Sequence, residues 1–305
     1  MGLLHDETAQ ITWTLPGRCV LGRSSTCTIQ LNNPRVSGEH ARLAWTRFGW
    51  ELRDLGSRNG TWVDGKRLGA GEAVLLSLGA SVGFANPEGG FRLEEAGAPG
   101  AMARSLKCGV TVSAEEGLLA LPEADNPRLT VFEDAIGRWV AELDGEPRSV
   151  TDGEVVTLDE QSWMLHLPMA EDHTLDIGQH PIPLDTLELQ FQVSADEEHI
   201  DLLVLHDGGQ SALKNRAHHY LLLILARARI EDGDADISAG EHGWVYADDL
   251  AESLRIDEAR LNVMIFRARK EFAELGVTGA ASVIERRRGS RKLRIGVAGL
   301  VVGPL

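Results

Sequence analysis

Asp54-Leu55-Gly56-Ser57-Arg58-Asn59-Gly60-Thr61, running on into Trp62-Val63-Asp64-Gly65, is the stretch that decides how this chain is read. Turn-forming residues dominate it, and it has two companions upstream, Gly22-Arg23 and Ser37-Gly38-Glu39-His40. Short apolar runs separate the three: Cys19-Val20-Leu21, Cys27-Thr28-Ile29-Gln30-Leu31, Ala41-Arg42-Leu43-Ala44-Trp45 and Trp50-Glu51-Leu52. Apolar runs bounded by Gly, Asn and Ser clusters are strand signals. In an all-β sandwich several such turns collect at one end, where fixed strands aim loop side chains at a ligand.

The chemistry of these turns points to phosphate. An Arg pinned beside Gly22 offers a planar fork of donors that matches phosphate oxygens two at a time, and the Ser37 hydroxyl adds another donor. Asn59, ahead of a Gly in a turn, carries both an amide donor and an acceptor for the backbone of an extended peptide. Singly, each is ordinary: Arg23 a surface charge, Ser37 a turn residue, Asn59-Gly60 a hairpin turn. The weight lies in the combination.

Gly22-Arg23, Ser37-x-x-His40 and Asp54-x-x-Ser57-x-Asn59-Gly60-Thr61-x-Val63-x-Gly65 together resemble the forkhead-associated (FHA) domain over residues 8–95. The resemblance implies an eleven-stranded sandwich that binds phosphothreonine in partner proteins. It implies a phosphopeptide site at Arg23, Ser37, Gly38, Arg58 and Asn59, with Arg23 and Ser37 on the phosphate and Asn59 on the peptide backbone. Gly22, His40, Gly60 and Thr61 are then structural. His40 has no second His, Cys or paired carboxylate at ligand spacing, so a buttressing role is expected and no metal site is. Many family members carry Arg or Asn after the Ser where this chain has Gly38, which implies weaker phosphate affinity.

A chain of 305 residues, 43% of them hydrophobic, is long enough for two or three folded domains. Its N-terminus has no basic region followed by an apolar run, and no apolar stretch reaches the roughly 18 residues that span a bilayer. A cytoplasmic protein without membrane contact is expected. Cys19, Cys27 and Cys108 form no Cys-x-x-Cys pair, so they read as core or surface thiols. The net charge of −16 is uneven. Residues 1–97 carry ten basic and ten acidic side chains, residues 98–186 five and seventeen, and residues 187–305 fifteen and nineteen. Inside the last block, residues 255–294 are locally basic, with eleven basic and five acidic side chains.

Glu94-Glu95-Ala96-Gly97-Ala98-Pro99-Gly100-Ala101 reads as a linker over 96–104, and Pro181-Ile182-Pro183 as a second. Between them, residues 105–170 read as an acidic β-rich module. Arg128-Leu129, Gly137-Arg138-Trp139 and Asp152-Gly153 echo Arg42-Leu43, Gly49-Trp50 and Asp64-Gly65, which hints at a degenerate copy of the first fold without its phosphate motifs. An unrelated spacer is the alternative. The acidic surface is most simply a solvated face; the sharper reading has it contact the basic patch and lower affinity for DNA.

Residues 187–298 read as α+β. Leu187-Glu188-Leu189-Gln190-Phe191-Gln192-Val193 alternates and turns into residues 200–205, a hairpin. Helices follow over 215–230 and 246–254, and a third is capped by Asp257. Leu261, Ile265, Ala268, Phe272 and Leu275 give that third helix one buried stripe, leaving Arg260, Val263, Phe266, Arg267 and Lys270 on the other side. A basic hairpin around Gly289-Ser290 comes last. This order resembles the winged helix of response-regulator type. The resemblance implies that helix 257–275 enters the DNA major groove with Arg260 and Arg267 on base edges. Lys270 and the hairpin residues Arg286, Arg287, Arg288, Arg291 and Lys292 would then meet the DNA backbone. Docking to a protein through Val263 and Phe266 is the other use of such a face.

The fold class expected is therefore mainly β with a C-terminal α+β part. The function expected is a phosphothreonine-dependent regulator that couples a Ser/Thr kinase, or its substrate, to a DNA-binding output. A phospho-dependent adaptor without DNA is the alternative. No Gly-x-x-x-x-Gly-Lys-Ser/Thr loop, His-Glu-x-x-His, kinase signature or Gly-x-Ser-x-Gly elbow is present, so neither enzyme activity nor a cofactor is expected.

Overall fold

The computed structural model describes residues 1–134, 136–168, 182–235 and 237–305. Pro181 of the expected second linker lies outside them. The first eleven strands are β1 (Gly2–Asp6), β2 (Ile11–Thr14), β3 (Arg18–Gly22), β4 (Ile29–Gln30), β5 (Ala41–Thr46), β6 (Gly49–Asp54), β7 (Thr61–Val63), β8 (Lys66–Arg67), β9 (Ala73–Leu75), β10 (Ser81–Phe84) and β11 (Phe91–Ala96). They form two sheets, ordered β2-β1-β11-β10-β7-β8 and β4-β3-β5-β6-β9. One core serves both, with Leu4, Leu21, Leu43, Trp50, Leu52, Val82 and Leu93 all buried. Because successive strand residues point to opposite faces, β6 sends Trp50, Leu52 and Asp54 inward and leaves Gly49, Glu51 and Arg53 partly exposed. Across the pair, Leu43 of β5 faces Leu52 and Trp45 faces Trp50, their rings 5.3 Å apart at 66°. Such inward pairs fix the register, since a one-residue slip would turn them to solvent.

Residues 96–104, expected as a linker, are instead built onto the sandwich. The Trp50 indole N–H donates to the Gly97 carbonyl at 3.1 Å. Ala101, Met102 and Ala103 are buried, and the Arg104 guanidinium donates to the Thr28 carbonyl. Small residues let the chain lie flat against the sheet here, which composition alone does not distinguish from a flexible tether.

The strands that follow are β12 (Met102–Ser105), β13 (Thr111–Ser113), β14 (Leu119–Leu121), β15 (Leu129–Glu133), β16 (Trp139–Leu143), β17 (Glu146–Ser149), β18 (Val155–Leu158) and β19 (Gln161–His166). The chain divides into two compact units, and this block is shared between them. Residues 1–113, 152–156 and the described part of 162–175 make the first; residues 114–151, 157–161 and the described part of 176–305 make the second. The reading of 105–170 as one module is corrected accordingly: β14 to β17 close on the C-terminal elements rather than on β12 and β13. Strand order nevertheless repeats. The sheet β13-β12-β19-β18 has the sequence order of β2-β1-β11-β10, and the meander β14-β15-β16 that of β3-β5-β6. Leu43 and Leu129 of the echoed pairs fall on β5 and β15, and Trp50 and Trp139 on β6 and β16.

In the second unit, β20 (Ile182–Pro183) runs parallel to β25 (Val277–Thr278). β21 (Glu188–Val193), β22 (Ile200–His206) and β23 (Gly209–Leu213) form a meander to which β28 (Gly299–Pro304) adds in parallel along β21. Then come α1 (Ala217–Asp234), β24 (Val245–Tyr246), α2 (Ala247–Leu254), α3 (Glu258–Glu274) and the hairpin β26 (Ile284–Arg287) and β27 (Lys292–Ile295), with β24 paired to β27. Asp257 caps α3, its carboxylate accepting the Arg260 N–H at 2.7 Å, one of the otherwise unpaired first-turn donors. Leu261, Ile265, Ala268 and Phe272 are buried as their spacing predicts, but Val263, Phe266 and Arg269 are buried too. Phe266 shares its core with Leu118, Ala120 and Phe132, so part of the α3 face expected to look outward is buried, while Arg260 and Arg267 on that face stay exposed. Among the described residues, no helix is long and apolar enough to cross a membrane.

Candidate phosphopeptide site

Three loops of the sandwich converge, and a single buried imidazole ties them together. The Ser37 N–H donates to His40 Nδ1 at 3.1 Å, so the ring proton sits on Nε2, which donates to the Gly60 carbonyl at 3.0 Å. His40 is fully buried, edge-on to Phe84, and burial holds it below the usual histidine range. It stays neutral at pH 7, as this pair of hydrogen bonds requires. His40 thus fastens the second loop to the third.

Asp54 organises the third loop. Oδ1 accepts the N–H groups of Gly56 at 2.8 Å and Ser57 at 3.0 Å; Oδ2 accepts the hydroxyls of Ser57 at 2.6 Å and Thr61 at 2.7 Å. Burial alone would raise its pKa, yet these four donors pull it below the usual carboxylate range. The Ser57 hydroxyl accepts the Gly60 N–H in turn at 3.0 Å. Asp54 and Ser57 were quoted in the motif without a role; the Asp-x-x-Ser spacing of an Asx turn is the signal that finds one.

The residues expected on the phosphopeptide sit on that frame. The Arg23 N–H donates to Ser37 O at 2.9 Å, which locks the first loop to the second. Its guanidinium is exposed and has no partner among the described residues. Ser37 Oγ accepts the Arg58 N–H at 3.1 Å, leaving its own proton to donate outward. Asn59 Nδ2 donates to the Arg35 carbonyl at 2.6 Å, which turns the amide and leaves its oxygen for a ligand. Gly22 is required sterically: a Cβ there would stand 2.1 Å from the Gly38 carbonyl oxygen. Gly60 has φ +89°, a left-handed backbone that favours glycine. The space around Gly38 is open, with nothing within 4 Å of a Cβ. The loops can hold a dianion with directed donors from one side.

The family model described as the FHA domain matches residues 19–85. Residues 19–85 are an FHA domain. Protein phosphatase 2C 70 of Arabidopsis thaliana is 42% identical over 66 residues, 21% of this chain and 11% of that protein. The FHA domain-containing protein FhaB of Mycolicibacterium smegmatis is 38% identical over 63 residues, 21% of this chain and 39% of that protein. The chain therefore spans well under half the length of either relative. Among solved structures, Mycobacterium tuberculosis EmbR in complex with a low affinity phosphopeptide is 29% identical, covering 32% of this chain and 26% of that one, with a TM-score of 0.28. The FhaA FHA domain complexed with the intracellular domain of Rv3910 is 25% identical, covering 28% and 92%, with a TM-score of 0.26.

The residues expected on DNA are not gathered on one open face. Arg260 and Arg288 are exposed and unpaired among the described residues, and Arg267 lies 3.7 Å from Asp125. Lys270 pairs with Glu115, Arg287 with Glu241, and Arg291 with Asp248 at 3.2 Å and Glu258 at 2.9 Å. The Lys292 ammonium stands over the Tyr246 ring at 4.5 Å. Arg286 is turned inward, 3.1 Å from Glu142 and donating to Asn262 at 2.6 Å. Arg269, which local pattern did not single out, is 2% exposed and grips Glu142 with two hydrogen bonds at 2.8 and 2.9 Å.

His218 and His219 read from the sequence as packing or surface residues. Both are buried, and each Nε2 lies 2.7 Å from the same Glu271 oxygen. Burial works against the charge, but the two imidazole N–H donors bring the Glu271 carboxyl down to about 2. The three could in principle ligate a cation. As placed, the carboxylate already takes both N–H groups, and the cluster pins α1 to α3.

Proposed function

We propose that this protein is a phosphothreonine-dependent regulator. Its FHA domain takes a phosphothreonine segment of a Ser/Thr kinase or of that kinase's substrate, with Arg23 and Ser37 on the phosphate, Asn59 on the peptide backbone, and Gly38 and Arg58 beside them. The observation that carries this reading is the unpaired Arg23 guanidinium beside a Ser37 hydroxyl whose acceptor side is already occupied by the Arg58 N–H. A rigid, prepaid frame of this kind binds without reordering itself. The reader proposed over 8–95 takes in β1 and the chain to Gly97, which complete its sandwich, and 187–298 is proposed as a winged helix, whose α3 and β26–β27 hairpin contact DNA. A strand hairpin, three helices and a terminal basic hairpin in that order support it.

Titrating the full chain with a phosphothreonine peptide and its unphosphorylated twin tests the first half. Equal affinity for the two would end that reading. A second reading, a phospho-dependent adaptor without DNA, is favoured by one observation: Val263 and Phe266, on the α3 face that would enter a groove, are buried.

A further inference from the structure

Phe266 and Arg269 of α3 are buried on the side of β14–β17 while Arg260 and Arg267 stay exposed, so either that covered strip is permanently structural or its cover comes off. The cover is acidic where α3 and the hairpin are basic. Glu142, on β16, sits between two guanidiniums, bidentate to Arg269 and 3.1 Å from Arg286 Nε. Around this centre Glu115 pairs with Lys270, Asp125 stands 3.7 Å from Arg267, the Gly145 carbonyl accepts from Arg286 at 3.2 Å, and Glu146 accepts the Gly289 N–H at 3.3 Å. The outer carboxylates are open to water, Glu115 64% and Asp125 95% exposed. Exposed pairs of that kind contribute little. Glu142 is different: burial opposes its charge, but Arg269 and Arg286 hold it ionised.

We propose that the sheet β14–β17 is a displaceable acidic cap on the α3 and hairpin surface, in which the carboxylates of Glu115, Asp125, Glu142 and Glu146 occupy the positions that nucleic-acid phosphates take when the cap is off. This rests on the DNA-binding reading above. Three features favour displacement over permanent packing. Carboxylates and phosphates accept from the same donors, in the same bidentate geometry at arginine. A buried ion pair adds little net stability compared with apolar packing, but it specifies one partner arrangement. The apolar contact comes from Leu118, Ala120 and Phe132 with the partly buried Ala124 and Val140, set against a core whose other members all lie within residues 182–302. The partner that fits the uncovered surface is a polyanion with regularly spaced phosphates, namely double-stranded DNA.

The test uses the full chain and a fluorescent mixed-sequence duplex of roughly 30 base pairs at low salt, where phosphate contacts are strongest. Three proteins are compared: wild type, Glu142→Gln, and the rim double variant Glu115→Gln with Asp125→Asn. Glu142→Gln leaves two buried guanidiniums without their counter-charge, and is expected to bind about tenfold tighter or more. The rim variant is expected to gain about two- to threefold. Amide exchange over residues 119–149 should quicken in Glu142→Gln, and in wild type when DNA is saturating. Equal affinity across the three, with 119–149 protected in every complex, overturns the cap. Fast exchange in 119–149 without any DNA binding leaves the cap standing and removes the DNA reading instead. Should Glu142→Gln fail to fold, the rim variant decides, because its residues are exposed: an unchanged affinity there overturns the proposal.

Discussion

Two strands at matching places in a repeated strand order each carry a buried carboxylate, and the two acids are used in opposite ways. Asp54 ends β6 and is satisfied by Gly56, Ser57 and Thr61, all within seven residues of it. Glu142, near the end of β16, is satisfied by Arg269 and Arg286, more than a hundred residues away. The first shapes its own loop into a binding surface; the second fastens a sheet to a distant helix. A sandwich strand order is thus a scaffold, and the partner of its buried acid settles whether a loop or an interface is built. The second region has no Ser-x-x-His or Asn-Gly turn, and its Gly137-Arg138 matches Gly49-Trp50 rather than Gly22-Arg23.

That contrast can be broken. Asp54→Ala removes one acceptor from four donors in a buried site, and should cost about 3–5 kcal/mol in the denaturant unfolding of the full chain. A loss below about 1 kcal/mol would mean that the loop holds its own shape and the acid is incidental. Arg23→Ala should leave that unfolding curve in place while lowering phosphothreonine-peptide affinity about tenfold to a hundredfold, the loss of a charge-assisted contact of roughly 1.5–3 kcal/mol. Asn59→Ala should weaken binding comparably. An Arg23→Ala protein that binds as well as wild type would reduce the FHA domain here to a structural sandwich.

Acid sharpens the comparison on a smaller scale. His40 has a folded pKa below its unfolded value near 6.5, so its contribution is complete above about pH 6.5 and fades as pH falls through the folded pKa. Asp54 and Glu142 are also lowered, so their contributions are complete above about pH 4 and fade only below it. Stability of the full chain should therefore begin to fall once pH drops below about 6.5, ahead of either carboxylate. Stability flat down to about pH 4 would detach His40 from this frame. The smallest effect expected is a gain. Gly38→Asn adds a side chain in open space beside the phosphate site, and one more hydrogen bond should tighten peptide binding about two- to tenfold. No gain would place Gly38 out of the ligand's reach.

The FHA loops were legible because their roles depend on residues that only turns use: a Gly where a Cβ meets a carbonyl, an Asn before a left-handed Gly, an Asp capping its own turn. The C-terminal strands and helices were legible from period two and period 3.6. What the pattern could not show was a second partner for α3. Val263 and Phe266 fall opposite the Leu261-Ile265-Phe272 stripe, and one amphipathic stripe says nothing about a sheet arriving from residues 119–149. The Arg269–Glu142 pair was hidden for the same reason, since an Arg on a helix and a Glu on a strand are each ordinary surface residues. Residues 96–104 misled through composition: Gly, Ala and Pro serve close packing as readily as flexibility.

The indole of Trp50 has its hydrogen-bond acceptor at Gly97, twelve residues past the family match. A recombinant fragment cut at residue 85, or even at 95, would strand that N–H inside a ring that is fully buried, at about 1–3 kcal/mol. The cut at 85 would also lose β11, which lies between β1 and β10 in its sheet. The smallest autonomous piece of this domain should therefore start at Met1 and run through Gly97 at least, and shorter fragments should aggregate or melt at lower temperature whatever their intact binding loops.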